Sequence, residues 1–210
     1  MIKNLIFDFG GVVADLDFAQ AIRAFERIGV HDASKRLDCY LQSGIFYDLE
    51  AGRLSREEFC ERLGAEYGCE ISLAEARSAW LGYFAPINEM KLQAIEQLHG
   101  RYRTLLLSNT NQFVMDWADS ESLSSARKPL SYYFDRLYCS YRIGVLKPTC
   151  EIFDHLIADA GIDPAESLFI DDGAANVATA RELGFYTLQP ANGEDWRDEL
   201  LALLNEKSCL

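Results

Sequence analysis

The chain has 210 residues, 49% of them hydrophobic and 25% charged, with 20 basic against 33 acidic side chains and a formal net charge of −13. That length suits one domain, or one domain carrying an insertion, and the composition excludes an intrinsically disordered chain. A field of this sign repels phosphate backbones and anionic lipid, which argues against nucleic acid and membrane surfaces as partners.

The first apolar run, Leu5-Ile6-Phe7, reads as a buried strand that stops at Asp8 and is followed by Phe9-Gly10-Gly11-Val12-Val13-Ala14. From Asp17 the period changes. Phe18, Ala21, Ile22, Phe25 and Ile28 fall at helical spacing, and Gly29 closes the segment. Ser55 with Glu58, and Ser72 with Glu75, are capping boxes that each open another helix. Nothing from 17 to 84 alternates as a strand does, so this stretch is expected to be all-helical. After Pro86 a helix (Leu92, Ile95, Leu98) closes at Gly100, and Thr104 to Leu107 reads as a strand ending at Ser108. The serine-rich residues 120 to 130 read as a surface loop. A third strand, Leu137 to Cys139, precedes Gly144-Val145-Leu146-Lys147-Pro148 and a helix from Thr149 to Ala160. The turn at Asp163-Pro164-Ala165-Glu166 leads into the strand Leu168-Phe169-Ile170, which runs onto Asp171-Asp172. A helix from Ala174 to Leu183 and a strand from Phe185 to Leu188 complete the pattern.

Short apolar strands alternating with helices imply an α/β fold, a parallel sheet covered on both faces in three layers. The helical block of roughly seventy residues is too long for a loop inside a compact domain. It is expected to form a small inserted bundle, a cap over residues 17–85, with residues 1–16 and 86–210 as the α/β core.

Several chemistries have nothing to stand on. The six cysteines (Cys39, Cys60, Cys69, Cys139, Cys150, Cys209) are scattered without a C-x-x-C, so they read as reduced small hydrophobes rather than zinc ligands. None of the three histidines sits near a G-x-S-x-G or a lone reactive cysteine, which removes Ser/His and Cys/His catalysis. No G-x-G-x-x-G is present for hydride transfer. No apolar run approaches the roughly eighteen residues that span a bilayer, and Asp8 arrives too soon for a signal-peptide core, so a cytoplasmic protein is expected.

Ligands of parallel sheets bind outside the carboxyl ends of the strands. Four such ends carry polar groups here: Asp8, Ser108-Asn109, Lys147 in the loop beyond the third strand, and Asp171-Asp172. Each has an ordinary reading as well, since strand-end carboxylates cap helices and form turns, Ser108-Asn109-Thr110-Asn111 suits an N-cap, and a lysine is commonly solvated. Together on one rim they suit metal-dependent phosphoryl transfer. Three carboxylates sharing a rim call for a cation, hard oxygen ligands favour Mg2+, and a lysine with a hydroxyl can hold phosphoryl oxygens. A carboxylate backed by Gly10-Gly11 can attack phosphorus and form an aspartyl-phosphate.

The four motifs, Leu5-Ile6-Phe7-Asp8-Phe9-Gly10-Gly11-Val12, Leu105-Leu106-Leu107-Ser108-Asn109, Lys147-Pro148 and Phe169-Ile170-Asp171-Asp172, resemble in order and spacing those of the haloacid dehalogenase superfamily. The resemblance implies a Rossmann-like core with a type-one helical cap. Within the superfamily the chain is similar to small sugar-phosphate phosphatases, the subgroup that includes α-D-glucose-1-phosphate phosphatases, through Gly10, Asp15-Leu16-Asp17 and Ser108 to Asn111. It further implies a small phosphate ester as substrate and Mg2+ as cofactor. Asp8 would be nucleophile and metal ligand, Ser108 and Asn109 phosphate ligands, and Lys147 the group steadying phosphate and Asp8. Asp172 would bind Mg2+ directly, with Asp171 close by or bridging through water, and the carbonyl of Gly10 would be a further ligand.

Gly10 is the departure. Most phosphatases of the superfamily carry there a second aspartate that acts as general acid and base, a group whose loss forfeits about 10²–10⁴ in rate. Three outcomes are open: Asp15 or Asp17 supplies the proton, the substrate has an acidic leaving group, or the chain is a catalytically silent binding module. A metal-independent 2-haloacid dehalogenase is the other rival, against which the paired acids Asp171-Asp172 argue. The aromatic residues Tyr40, Phe46, Tyr47, Trp80 and Tyr83 suit either stacking on a sugar or, at their helical spacing, the core of the bundle.

Overall fold

The computed structural model describes residues 1–38 and 42–208. Five strands, β1 (Asn4–Phe7), β2 (Arg103–Ser108), β3 (Arg136–Cys139), β4 (Ser167–Ile170) and β5 (Tyr186–Leu188), pair in parallel in the order β3-β2-β1-β4-β5. Side chains alternate across the sheet: Leu5, Phe7, Leu106, Leu168 and Ile170 join one apolar cluster, whereas Ile6, Leu105, Leu107 and Phe169 join the other. The order places β1 at the centre, with the chain winding outward to either side, so the loops after β1, β2 and β4 converge at one edge.

Among the described residues the insert after β1 carries five helices: α1 (Phe18–Arg27), α2 (Ala33–Arg36), α3 (Ile45–Glu50), α4 (Arg56–Tyr67) and α5 (Leu73–Leu81). Both expected capping boxes form, at Ser55 and Ser72. The short helices α2 and α3 leave too few turns for periodicity to reveal. An aromatic cluster holds the insert together, with Phe25 edge-on to Trp80 at 5.5 Å and Phe46 edge-on to Phe59 at 5.4 Å. Phe46 is therefore bundle core, Tyr47 lies under the Arg53 guanidinium at 5.0 Å, and Tyr40 falls outside the described residues.

The two chain crossings into the insert run side by side. The Asp17 N–H donates to the Tyr83 carbonyl at 2.7 Å and the Ala85 N–H to the Asp15 carbonyl at 2.9 Å, around a Leu16–Phe84 bridge.

The remaining helices are α6 (Glu89–Leu98), α7 (Gln112–Ala118), α8 (Ser140–Ile143), α9 (Cys150–Ala160), α10 (Ala174–Glu182) and α11 (Arg197–Ser208). Ile152, Phe153, Leu156 and Ala180 on α9 and α10 cover one sheet face; Leu92, Ile95, Phe113, Leu200 and Leu204 on α6, α7 and α11 join the cluster on the other. The insert docks on this second layer, where Phe59 meets Phe113 at 6.1 Å. Of the expected surface loop over 120–130, residues 120–129 carry no helix or strand, while buried Leu130 begins a short 3-10 helix, Leu130–Tyr132. Cys60, Cys69, Cys139 and Cys150 are free thiols, and Cys39 and Cys209 lie outside the described residues. Among the described residues no helix is long and apolar enough to cross a membrane.

Candidate active site

The convergence of strand ends brings Asp8, Ser108, Asn109, Lys147, Asp171 and Asp172 to one edge of the sheet. Buried Lys147 is central: its Nζ lies 3.0 Å from Asp8 Oδ1 and 2.6 Å from Asp171 Oδ2. Asp171 is fully buried and fully partnered, also accepting from the Gly173 N–H at 2.8 Å and from Asn176 Nδ2 at 2.9 Å. Asp8 Oδ1 accepts a further bond from the Phe9 N–H at 2.6 Å, so both of these bonds fall on one oxygen. Asn109 forms a reciprocal pair with the Lys147 backbone, Nδ2 donating to its carbonyl at 2.9 Å and Oδ1 accepting from its N–H at 2.8 Å. Its amide thus orients the lysine, while buried Ser108 lines the cleft.

The carboxylates Asp8, Asp171 and Asp172 each present an oxygen within 4.8 Å of the others. Burial, reinforced by Asp171 and Asp172 and opposed by Lys147, raises Asp8 to a pKa of about 7. Burial and the neighbouring Asp171 raise Asp172 to about 6. For Lys147, burial works against the charge, but Asp171 and Asp8 outweigh it and hold the ammonium above its ordinary pKa. One ammonium cannot balance three carboxylates. A divalent cation with a preference for hard oxygen, Mg2+ in particular, fits this donor set. Gly11 makes the set possible: it has φ +82, and a Cβ there would lie 2.2 Å from Asp172 Oδ2.

Neither Asp15 nor Asp17 lines the cleft. Asp17 is the N-cap of α1, accepting from the Gln20 N–H at 2.8 Å, and Asp15 Oδ1 is ion-paired at 2.7 Å with the buried Nζ of Lys91. At Gly10 a Cβ would sit 3.3 Å from Leu16 Cδ2, so Leu16 occupies the space beside that position. Asn111 is the N-cap of α7, which the reading of Ser108 to Asn111 as a cap cluster anticipates.

Of the cleft's upper wall, sequence reasoning named Trp80 and Tyr83 as candidates for stacking on a sugar but missed Glu50. Glu50, the last residue of α3, lines it together with Trp80 and Tyr83. Glu50 is 6% exposed, and burial, with repulsion from Asp8, raises its pKa to about 8. Its backbone is anchored from the core, since the Ser140 hydroxyl donates to the Glu50 carbonyl at 2.7 Å. Gly52, at φ +67, lets the following turn approach α8 so closely that a Cβ would lie 2.1 Å from the Tyr141 carbonyl oxygen. The signals were a carboxyl ending a short apolar run and a glycine two residues later, too slight to separate from an ordinary surface turn. The buried indole Nε1 of Trp80 and hydroxyl of Thr110, both in the cleft wall, have no hydrogen-bond partner among the described residues.

Comparison with known proteins agrees with this geometry. A family model described as haloacid dehalogenase-like hydrolase matches residues 2–184. A D-ribitol-5-phosphate phosphatase from Bacteroides thetaiotaomicron is 51% identical over 205 residues, covering 98% of this chain and 100% of that one. The structure of a predicted HAD-like family hydrolase from Porphyromonas gingivalis superposes with a TM-score of 0.94 at 44% identity, covering 97% of this chain and 98% of that one. A HAD family enzyme from Bacteroides thetaiotaomicron, solved as an aspartate-to-alanine mutant in complex with magnesium and inorganic phosphate, gives a TM-score of 0.90 at 34% identity, with 95% of this chain and 99% of that one covered. Rim chemistry, sheet order and these matches have one outcome: the chain belongs to the haloacid dehalogenase-like hydrolases.

Proposed function

We propose that this chain is a Mg2+-dependent phosphomonoesterase that acts on a small sugar or alditol phosphate through an aspartyl-phosphate on Asp8. The observation that carries the reading is the Lys147 ammonium within 3.0 Å of Asp8, beside two further carboxylates at the carboxyl edge of a parallel sheet. Support for the substrate class comes from the relative that is 51% identical, which acts on D-ribitol 5-phosphate, a phosphorylated linear polyol.

In this reading Asp8 Oδ2 attacks phosphorus, because Oδ1 is held by the Phe9 N–H and Lys147. The bond from Oδ2 to phosphorus forms as the bond to the alcohol oxygen breaks. Water then attacks phosphorus, releases inorganic phosphate and regenerates the carboxylate. Lys147 neutralises charge on the transferring group, Asn109 and Asp171 hold Lys147 in place, and Ser108 offers a hydroxyl to a phosphoryl oxygen. Asp8, Asp172 and the Gly10 carbonyl would hold Mg2+, with Asp171 behind them. When bound, Mg2+ supplies charge neutralisation and orients the phosphoryl oxygens.

Residues 1–16 and 86–210 carry this chemistry, and residues 17–85 form the cap that covers it. A net charge of −13 speaks against nucleic acid or a membrane surface as partner, and the free thiols suit the cytoplasm. The experiment is phosphate release from a panel of sugar and alditol phosphates, with Mg2+ or with chelator. Mg2+-dependent turnover that Asp8→Asn lowers by on the order of 10⁵-fold is the expected result. Halide release from 2-haloacids without metal, or silence on every ester, would overturn the proposal.

A further inference from the structure

The reaction proposed above leaves one proton unaccounted for. A primary alkoxide such as that of a polyol is a poor leaving group and must be protonated as it departs. Position 10 carries no side chain, Asp17 is spent on a helix cap, Asp15 is paired with Lys91, and neither faces the cleft. Apart from Asp8, Glu50 is the only carboxylic acid among the described residues that line the cleft.

Resting on the phosphatase reading, we propose that Glu50, reaching the cleft from the helical insert, is the general acid and base of this enzyme. Its carboxyl gives its proton to the alcohol oxygen as the bond to phosphorus breaks. The resulting carboxylate takes a proton from the water that attacks the phospho-aspartate, and the acid is restored.

Three observations converge on this role. No hydrogen bond or ion pair joins the Glu50 carboxyl to Asp8, Lys147, Asp171 or Asp172, so its proton is not committed to the rim. A buried acid with no partner among the described residues is costly, and such groups persist where they serve a ligand. The helix end that bears it is fixed to the core by the Ser140 hydroxyl and by the close contact of Gly52 with Tyr141, which anchors the backbone from which the side chain lines the cleft. The raised pKa, about 8, keeps the group protonated at neutral pH, as a donor must be.

The test uses the full chain with Mg2+, D-ribitol 5-phosphate and a series of substituted phenyl phosphates, with wild type, Glu50→Gln and Asp17→Asn compared. For Glu50→Gln the rate on the alkyl ester is expected to fall about 10²–10⁴-fold, whereas the ester of the most acidic phenol loses less than about tenfold. The dependence on leaving-group acidity therefore steepens. With that last ester the variant also accumulates phosphorylated Asp8, seen as a burst of phenol and as one added phosphoryl group in the intact mass. Glu50→Asp, which withdraws the acid by one methylene, falls between wild type and Glu50→Gln and serves if the glutamine variant does not fold. Asp17→Asn retains a capping side chain and keeps the wild-type slope. An unchanged slope in both Glu50 variants, a uniform loss across the series, or a steeper slope in Asp17→Asn overturns the inference. Wild-type protein inactive on every ester would instead overturn the phosphatase reading beneath it.

Discussion

Asp171 and Glu50 are both buried carboxyl groups, one on the sheet rim behind the cleft and one lining the cleft from the helical insert. Asp171 receives bonds from Lys147, Asn176 and the Gly173 N–H. Glu50 receives none among the described residues, and nearby Trp80 Nε1 is also unpartnered. The Lys147–Asp171 pair is thus partnered by the fold itself, although the three rim carboxylates together still call for a cation. The roof leaves polar groups unsatisfied, and a polyol can meet that demand with its hydroxyls.

Breaking the rim should have the largest effect. Lys147→Met strands the buried Asp8 and Asp171 carboxylates, at an expected cost of about 3–5 kcal/mol in denaturant unfolding of the metal-free protein. The same variant should lose about 10²–10³ in kcat, since a charge-stabilising donor is removed. A rate within a few fold of wild type would mean that the rim is not the reacting centre.

A smaller change probes the metal side alone. Gly11→Ala drives a methyl into Asp172 and strains a left-handed backbone position. Titration of activity with Mg2+ should show apparent affinity weakened about 10–100-fold, with folding retained. An unchanged titration would remove Asp172 from the metal site.

The smallest effect sharpens the contrast between the two walls. Asp172, Asp8 and Glu50 have pKa values raised to about 6, 7 and 8 from 3.8, 3.8 and 4.5. A raised carboxyl binds its proton more tightly in the folded chain, so the stability it contributes is complete below its ordinary pKa and lost as pH rises through the folded value. Melting of the metal-free protein should therefore fall progressively between pH 4 and 8.5. Mg2+ fixed at a hundredfold its Kd at pH 7 should restore about 2.7 kcal/mol there, and more at the alkaline end, where the carboxylates are ionised and hold it tighter. Glu50→Gln should flatten only the upper part of the curve. A melting temperature that rises over this interval would contradict the burial assigned to all three groups.

The α/β core was legible because each of its signals is local. Five short apolar runs, each ending at a polar residue, give the strands, and in the insert two capping boxes likewise give α4 and α5. The rim residues were legible because parallel strands deliver their carboxyl ends to one edge, whatever the loops between them. Helices α7 and α8 follow strands directly, so their apolar positions merge with those of β2 and β3. Trp196 shows the same limit: it packs on Phe7 at 5.4 Å and donates to the Val12 carbonyl at 2.9 Å, a contact across 184 residues that no spacing announces. Glu50 was missed for the same reason, since its place in the cleft depends on Ser140 and Tyr141, ninety residues further along the chain.

The paired crossings at Leu16 and Phe84 bear on how such enzymes diversify. Because both ends of the insert leave the sheet side by side, and Asn192 clamps Leu16 through its N–H and its carbonyl, a graft there has two adjoining backbone junctions to match. Another helical module could be spliced across that doorway if it also covers the core surface that Phe113, Ser140 and Tyr141 present to this insert. Such chimaeras would inherit the hydrolytic engine and bring their own appetite for metabolites, including whatever acid they carry in place of Glu50.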